Sequence, residues 1–120
     1  MKLLVARAPA TSFTYYVKLS RGGARRGTGN RFVSFDLDVL DAAHAPGVSA
    51  PNPAGWSTRE AERAVLACGA DARVRCFDLM ELCPTHDEGD RTARVAAHLF
   101  LAFLAGFAAR RPGSAGVPPA

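Results

Sequence analysis

The spacing of apolar and polar residues changes repeatedly along this chain, and each change marks a different element. Residues 31–37, "RFVSFDL", form a short apolar run that predicts a buried strand. Residues 73–80, "RVRCFDLM", predict a second, which turns apolar at Cys76 and Phe77. Between them, Ala61, Ala64, Val65 and Cys68 recur at helical spacing. The "STRE" before them is a capping box, in which Ser57 accepts from the Glu60 backbone and Glu60 reaches back. Gly69 is expected to stop this helix. Past residue 90 the helical period returns, with Val95, Leu99, Phe103 and Phe107 on one stripe and Phe100 and Leu104 beside it. That predicts a final helix over about 91–110, capped by Asp90.

The stretches between these elements read as loops. Residues 42–56, "AAHAPGVSAPNPAGW", hold three prolines and two glycines, and a loop this long inside a compact domain is usually functional. Residues 81–90, "ELCPTHDEGD", form another. Earlier, "TSFTYYVKL" (11–19) is aromatic and β-branched enough for a strand, and "RGGARRGTGN" (21–30) reads as a flexible basic loop. Residues 111–120, "RPGSAGVPPA", read as a disordered tail. The order strand, loop, helix, strand, loop, helix implies an α/β fold built on a parallel βαβα unit. Ligands of open parallel sheets bind beyond the carboxyl ends of the strands. Asp36, Asp38, Asp78 and Glu81 all fall at that edge.

Composition narrows the function. With 120 residues and 48% hydrophobic content the chain can build a core, so disorder throughout is excluded. The net charge of +4 is unevenly shared. Residues 1–31 carry seven basic side chains and no acid, whereas residues 32–120 carry eight basic and eleven acidic ones. The division is a basic leader (1–30), a body (31–110) and a tail (111–120). The longest uncharged helical run, Val95–Ala109, falls short of the ~20 residues a membrane span needs, so no membrane role is expected. Three cysteines, Cys68, Cys76 and Cys83, match no metal-binding spacing and read as reduced thiols of a cytoplasmic protein. A glycine- and arginine-rich leader can bind RNA, but no aromatic is interleaved, which disfavours nucleic acid as a partner.

The run "SFDLDVLD" (34–41) is the hardest to explain by folding alone. In a strand, Asp36 and Asp38 share a face, and two neighbouring carboxylates repel. A hard divalent cation such as Mn²⁺ or Mg²⁺ resolves that repulsion. Acids on a solvated edge strand do so equally well, and spacing alone leaves both readings open.

The wider pattern is more specific. "SFDLDVLDAAHAPGVSAPNPAGWSTREA" followed by "FDLMELCPTHDEGDRTARVAA" resembles the carboxyl-terminal third of the ureohydrolase family, which includes arginase, agmatinase and formimidoylglutamase. The likeness runs from about Phe32 to Phe107, and "APGVSAP" (45–51) is most like formimidoylglutamase. The resemblance implies part of a three-layer α/β/α arginase-like fold. It implies hydrolysis of a guanidinium or amidine carbon by water activated between two Mn²⁺ ions. Asp36 would bridge both ions, Asp38 would chelate one, and Glu81 would hold the cationic amidine of the substrate. His44, in the loop over this site, is a candidate substrate contact, although a surface histidine fits it as well. With N-formimidoyl-L-glutamate the products would be L-glutamate and formamide, a step of histidine degradation.

This sequence departs from the family in two respects. Ala42 stands where proline is usual after the third aspartate. The Gly-Gly-x-His and Asp-x-His-x-Asp segments that complete the family's metal site are missing. The expectation is therefore the carboxyl-terminal part of an enzyme, from a truncated or split frame, completed by an amino-terminal half or by a homo-oligomer. The alternative is a non-catalytic remnant of an arginase- or agmatinase-type enzyme.

Overall fold

The computed structural model describes residues 17–21 and 30–110. The sequence expectations for residues 1–16, 22–29 and 111–120 lie outside the described residues. The element order is β1 (Val17–Arg21), β2 (Arg31–Asp36), α1 (Thr58–Ala70), β3 (Val74–Met80) and α2 (Arg91–Ala108). The sheet order is β1-β2-β3. β2 and β3 are parallel, and β1 lies antiparallel along the other edge of β2. The expected parallel βαβα unit is thus in place as β2-α1-β3-α2.

Alternation along the strands decides which face the helices cover. Val33 pairs with Phe77 and Phe35 with Leu79, so these four side chains share one face. Val33 and Phe35 are fully buried there. Phe77 stacks on Phe103 of α2, with ring centroids 4.2 Å apart. Ala61 and Val65 of α1 and Leu99 of α2 complete this core. Each large side chain so buried contributes about 1.5–3 kcal/mol. The opposite face of β3 carries the exposed Cys76 and Met80.

The two helices cross at a pair of glycines. A Cβ on Gly69 would strike the Phe103 carbonyl, and one on Gly106 would strike the Leu66 carbonyl. This corrects the expectation that Gly69 ends the first helix. α1 continues to Ala70, and the glycine is there to let the backbones approach.

Local signals held where their partners are close in sequence. Ser57 and Glu60 form the expected capping box. α2, however, is not capped by the side chain of Asp90. The Asp87 carboxylate instead accepts from the backbone N–H groups of Thr92 and Ala93, both at 2.8 Å. The expected apolar stripe of α2 is buried only in part, because Phe107, Phe100 and Leu104 are exposed. Among the described residues, no helix is long and apolar enough to cross a membrane.

Candidate metal and substrate site

Where β2 ends, the chain turns sharply. The Asp38 N–H donates to the Asp36 carboxylate at 2.9 Å, and residues Leu37–Val39 form a single 3-10 turn. The two acids therefore do not alternate along one strand face, as their spacing had suggested. Asp36 is the last strand residue, and Asp38 lies within the turn. The turn is anchored from below by fully buried Leu37 and Leu40.

The long loop that follows is held by backbone bonds at both ends. Trp56 N–H donates to the Val39 carbonyl and Asp41 N–H to the Trp56 carbonyl, each at 2.8 Å. In the middle, Gly47 is clamped from two sides. Its N–H donates to the buried Thr92 hydroxyl at 2.7 Å, and its carbonyl accepts from Cys83 N–H at 2.9 Å. That clamp ties the loop to both the end of β3 and the start of α2. It places Ser49, two residues on, between the acids.

Ser49 is the member of the site that sequence reasoning missed. Its hydroxyl donates to Glu81 Oε2 at 2.8 Å and lies 3.5 Å from Asp38 Oδ2. One hydroxyl thus links Asp38, just past the end of β2, to Glu81, just past the end of β3. Glu81 itself has a left-handed backbone, with φ of 71°. This conformation is uncommon for a residue with a side chain.

The electrostatics are those of crowded carboxylates. Burial raises the pKa of Asp36 above the usual carboxylate value, opposed by the Asp38 N–H and reinforced by Glu81. Burial also raises that of Asp38, and the charges of Asp36 and Glu81 add to the effect. Asp38 is only 8% exposed, and its Oδ1 is buried with no hydrogen-bond partner. A buried, unpartnered carboxylate oxygen facing like charges is the environment that a cation relieves. Asp36 and Asp38 therefore fit as part of a metal donor set. Among the described residues, no group of three or more His, Cys, Asp or Glu is arranged to hold an ion.

The remaining candidates sit elsewhere. His44 is exposed, and its Nδ1 lies 3.1 Å from the Thr58 hydroxyl at the start of α1, so its hydrogen bond goes to that helix and not to the acids. Asp41 accepts from Ala43 N–H at 2.8 Å and closes its own turn. Asp78 lies in β3 opposite Ser34, with its Oδ1 buried and unpartnered.

Known proteins resemble this chain over the segment that holds these residues. A model described as the Arginase family matches residues 14–106. The chain is 49% identical over 81 residues to formimidoylglutamase of Halobacterium salinarum, covering 67% of this chain and 26% of that protein. It matches the crystal structure of formimidoylglutamase from Bacillus subtilis with a TM-score of 0.65 and 40% identity, over 68% of this chain and 26% of that one. The structure of Trypanosoma cruzi formiminoglutamase with Mn²⁺ matches with a TM-score of 0.62 and 40% identity, over 65% of this chain and 26% of that one. This chain spans about a quarter of the length of the curated relatives it matches.

Proposed function

This chain belongs to the arginase family, and on that footing we propose that it carries part of the active site of a manganese-dependent amidine hydrolase. The substrate proposed is N-formimidoyl-L-glutamate, which with water gives L-glutamate and formamide. The observation that carries this reading is Ser49 bridging Glu81 and Asp38, whose N–H in turn donates to Asp36, at the carboxyl ends of two parallel strands.

Each residue has a defined task. Asp36 and Asp38 would hold Mn²⁺, which when bound supplies Lewis-acid activation of water. Such an ion would also offset the burial, and the lesser like-charge repulsion, that raise both carboxyl groups. Glu81 accepts hydrogen bonds from the cationic amidine and keeps its carbon facing the two aspartates. Ser49 fixes one oxygen of Glu81 and leaves the other free for the substrate. Gly47, held by Thr92 and Cys83, keeps the loop carrying Ser49 in register. Two aspartates are a partial donor set, and further donors would come from the rest of an arginase-family domain, of which the matched segment is about a quarter. The free thiols Cys68, Cys76 and Cys83 support a reducing, cytoplasmic setting.

The test is formamide release from N-formimidoyl-L-glutamate in Mn²⁺. It is run on the chain alone and on the chain co-expressed with the amino-terminal three-quarters of a formimidoylglutamase. Activity that requires both pieces and is lost in Asp36→Asn supports the reading. Inactivity of a stable, manganese-loaded complex would leave a non-catalytic remnant.

A further inference from the structure

Charge is divided between the two ends of the parallel strands. Asp36, Asp38 and Glu81 lie at or just past the carboxyl ends of β2 and β3. The amino ends of the same strands gather arginines. Segments 30–32, 68–75 and 107–110 meet there. The Arg31 N–H donates to the Arg73 carbonyl, and the Arg110 side chain donates to the carbonyls of Gly69 and Val74. These segments contain Arg31, Arg73, Arg75 and Arg110 and a single acid, Asp71. Four guanidinium groups against one carboxylate leave a local charge of +3.

Three of these side chains are braced. Arg31 Nη1 and Arg73 Nη2 both donate to Asp71 Oδ2, at 2.9 and 2.8 Å, and Arg73 Nε donates to Asp71 Oδ1 at 2.8 Å. Arg110 donates through Nε to the Gly69 carbonyl at 2.6 Å and through Nη2 to the Val74 carbonyl at 3.1 Å. A guanidinium has five N–H donors, so each keeps some for a ligand. Arg73 also keeps 45% of its side chain exposed. Arg75 is set apart by the ladder itself. Arg31 pairs with Val74 and Phe32 with Cys76, so Arg75 is the extra residue of a β-bulge. Strict alternation from Phe77 and Leu79 would place it on the face that the helices cover. The bulge releases it from that pattern. It is exposed, and among the described residues it makes no ion pair.

We propose that Arg31, Arg73, Arg75 and Arg110 form an anion site at the amino edge of the sheet, and that it takes a small oligophosphate. Guanidinium forks match the paired oxygens of a phosphate, and side chains already held by hydrogen bonds lose less freedom on binding. A ligand with two or more negative charges matches the local excess. The arginines cluster around one connection, from α1 to β3, and do not run along a strip as a nucleic-acid backbone would require. The site lies at the opposite end of the strands from Glu81, so it stands or falls separately from the hydrolase reading.

The test is calorimetric titration of the full, metal-free chain with pyrophosphate at constant ionic strength. The expected result is saturable one-to-one binding, weaker binding of inorganic phosphate, and a melting temperature that rises with pyrophosphate. Arg75→Gln lowers the affinity about tenfold, as the loss of a hydrogen bond between charged groups does. Arg75→Lys keeps the charge, loses the fork, and lowers it about threefold. Arg59→Gln removes an equal charge from an exposed position at the start of α1 and leaves the affinity unchanged. Circular dichroism melts without ligand confirm that each variant keeps its fold. Three results would each overturn the proposal: no saturable binding; equal losses in Arg75→Gln and Arg59→Gln, which mark diffuse charge attraction; or binding of a single-stranded oligonucleotide without binding of pyrophosphate.

Discussion

The hydroxyl of Ser49 donates to Glu81 across 32 positions of sequence, at 2.8 Å. It joins a loop to the end of a strand with a single hydrogen bond to a charged group. Such a bond contributes about 1.5–3 kcal/mol at most, and less where it is exposed. Ser49→Ala should therefore leave the melting temperature nearly unchanged. In a complemented, active enzyme it should raise KM about three- to tenfold and affect kcat less, because Glu81 loses its anchor. Steady-state kinetics on wild type and variant check the split.

Asp38→Asn should have opposite effects with and without metal. The buried carboxylate faces Asp36 and Glu81, so neutralising it should raise metal-free stability by up to about 1 kcal/mol. A binder held at a hundred times its dissociation constant gains about 2.7 kcal/mol by mass action. Wild type should show such a gain in Mn²⁺, and Asp38→Asn should lose it. Thermal melts across a manganese titration read both effects.

Two groups of acids should give the metal-free chain opposing pH limbs. Asp36 and Asp38 have raised folded-state pKa values, so their ionisation opposes folding, and stability should fall as pH rises from about 4 through those values. Asp71 behaves oppositely. Its bonds to Arg73, and the charge of Arg31, hold it at about 2. Its contribution is present above about pH 4 and lost as pH falls toward 2, about 1 kcal/mol after allowance for solvent screening. Asp71→Asn should flatten the acid limb, and Asp38→Asn the other. Denaturant melts from pH 3 to 8 separate them.

Thr92→Val should unfasten the loop from α2. Thr92 is fully buried, and its hydroxyl accepts from Gly47 N–H. Valine leaves that donor unpaired at a cost of about 1–3 kcal/mol. Hydrogen exchange at Gly47 and Val48 should quicken well before global unfolding.

Much of this architecture was legible because its signals are local. Ser57 and Glu60 are three residues apart and announce their own helix. Val33 and Phe35 alternate as a half-covered strand must. What could not be read depended on distance or on a competing partner. Ser49 meets carboxylates 11 and 32 positions away, which no period encodes. Asp38 was misplaced because Asp36 spends its side chain on bending the backbone, turning an apparent strand pair into a turn. Asp90 looked like the cap of α2, but Gly89 and Asp90 both adopt left-handed backbones, which brings Asp87 onto the helix start. Gly69 looked like a stop signal, when its role lies in the crossing with α2.

The left-handed backbone at Glu81 carries a wider implication. A residue with a Cβ forfeits roughly 1–2 kcal/mol in that conformation, and glycine forfeits almost nothing. Glu81→Gly should therefore melt higher than wild type in the metal-free chain while removing the carboxylate proposed to hold an amidine. A search for hardier variants of this protein would erase that carboxylate early, so robustness and chemistry pull this one position in opposite directions.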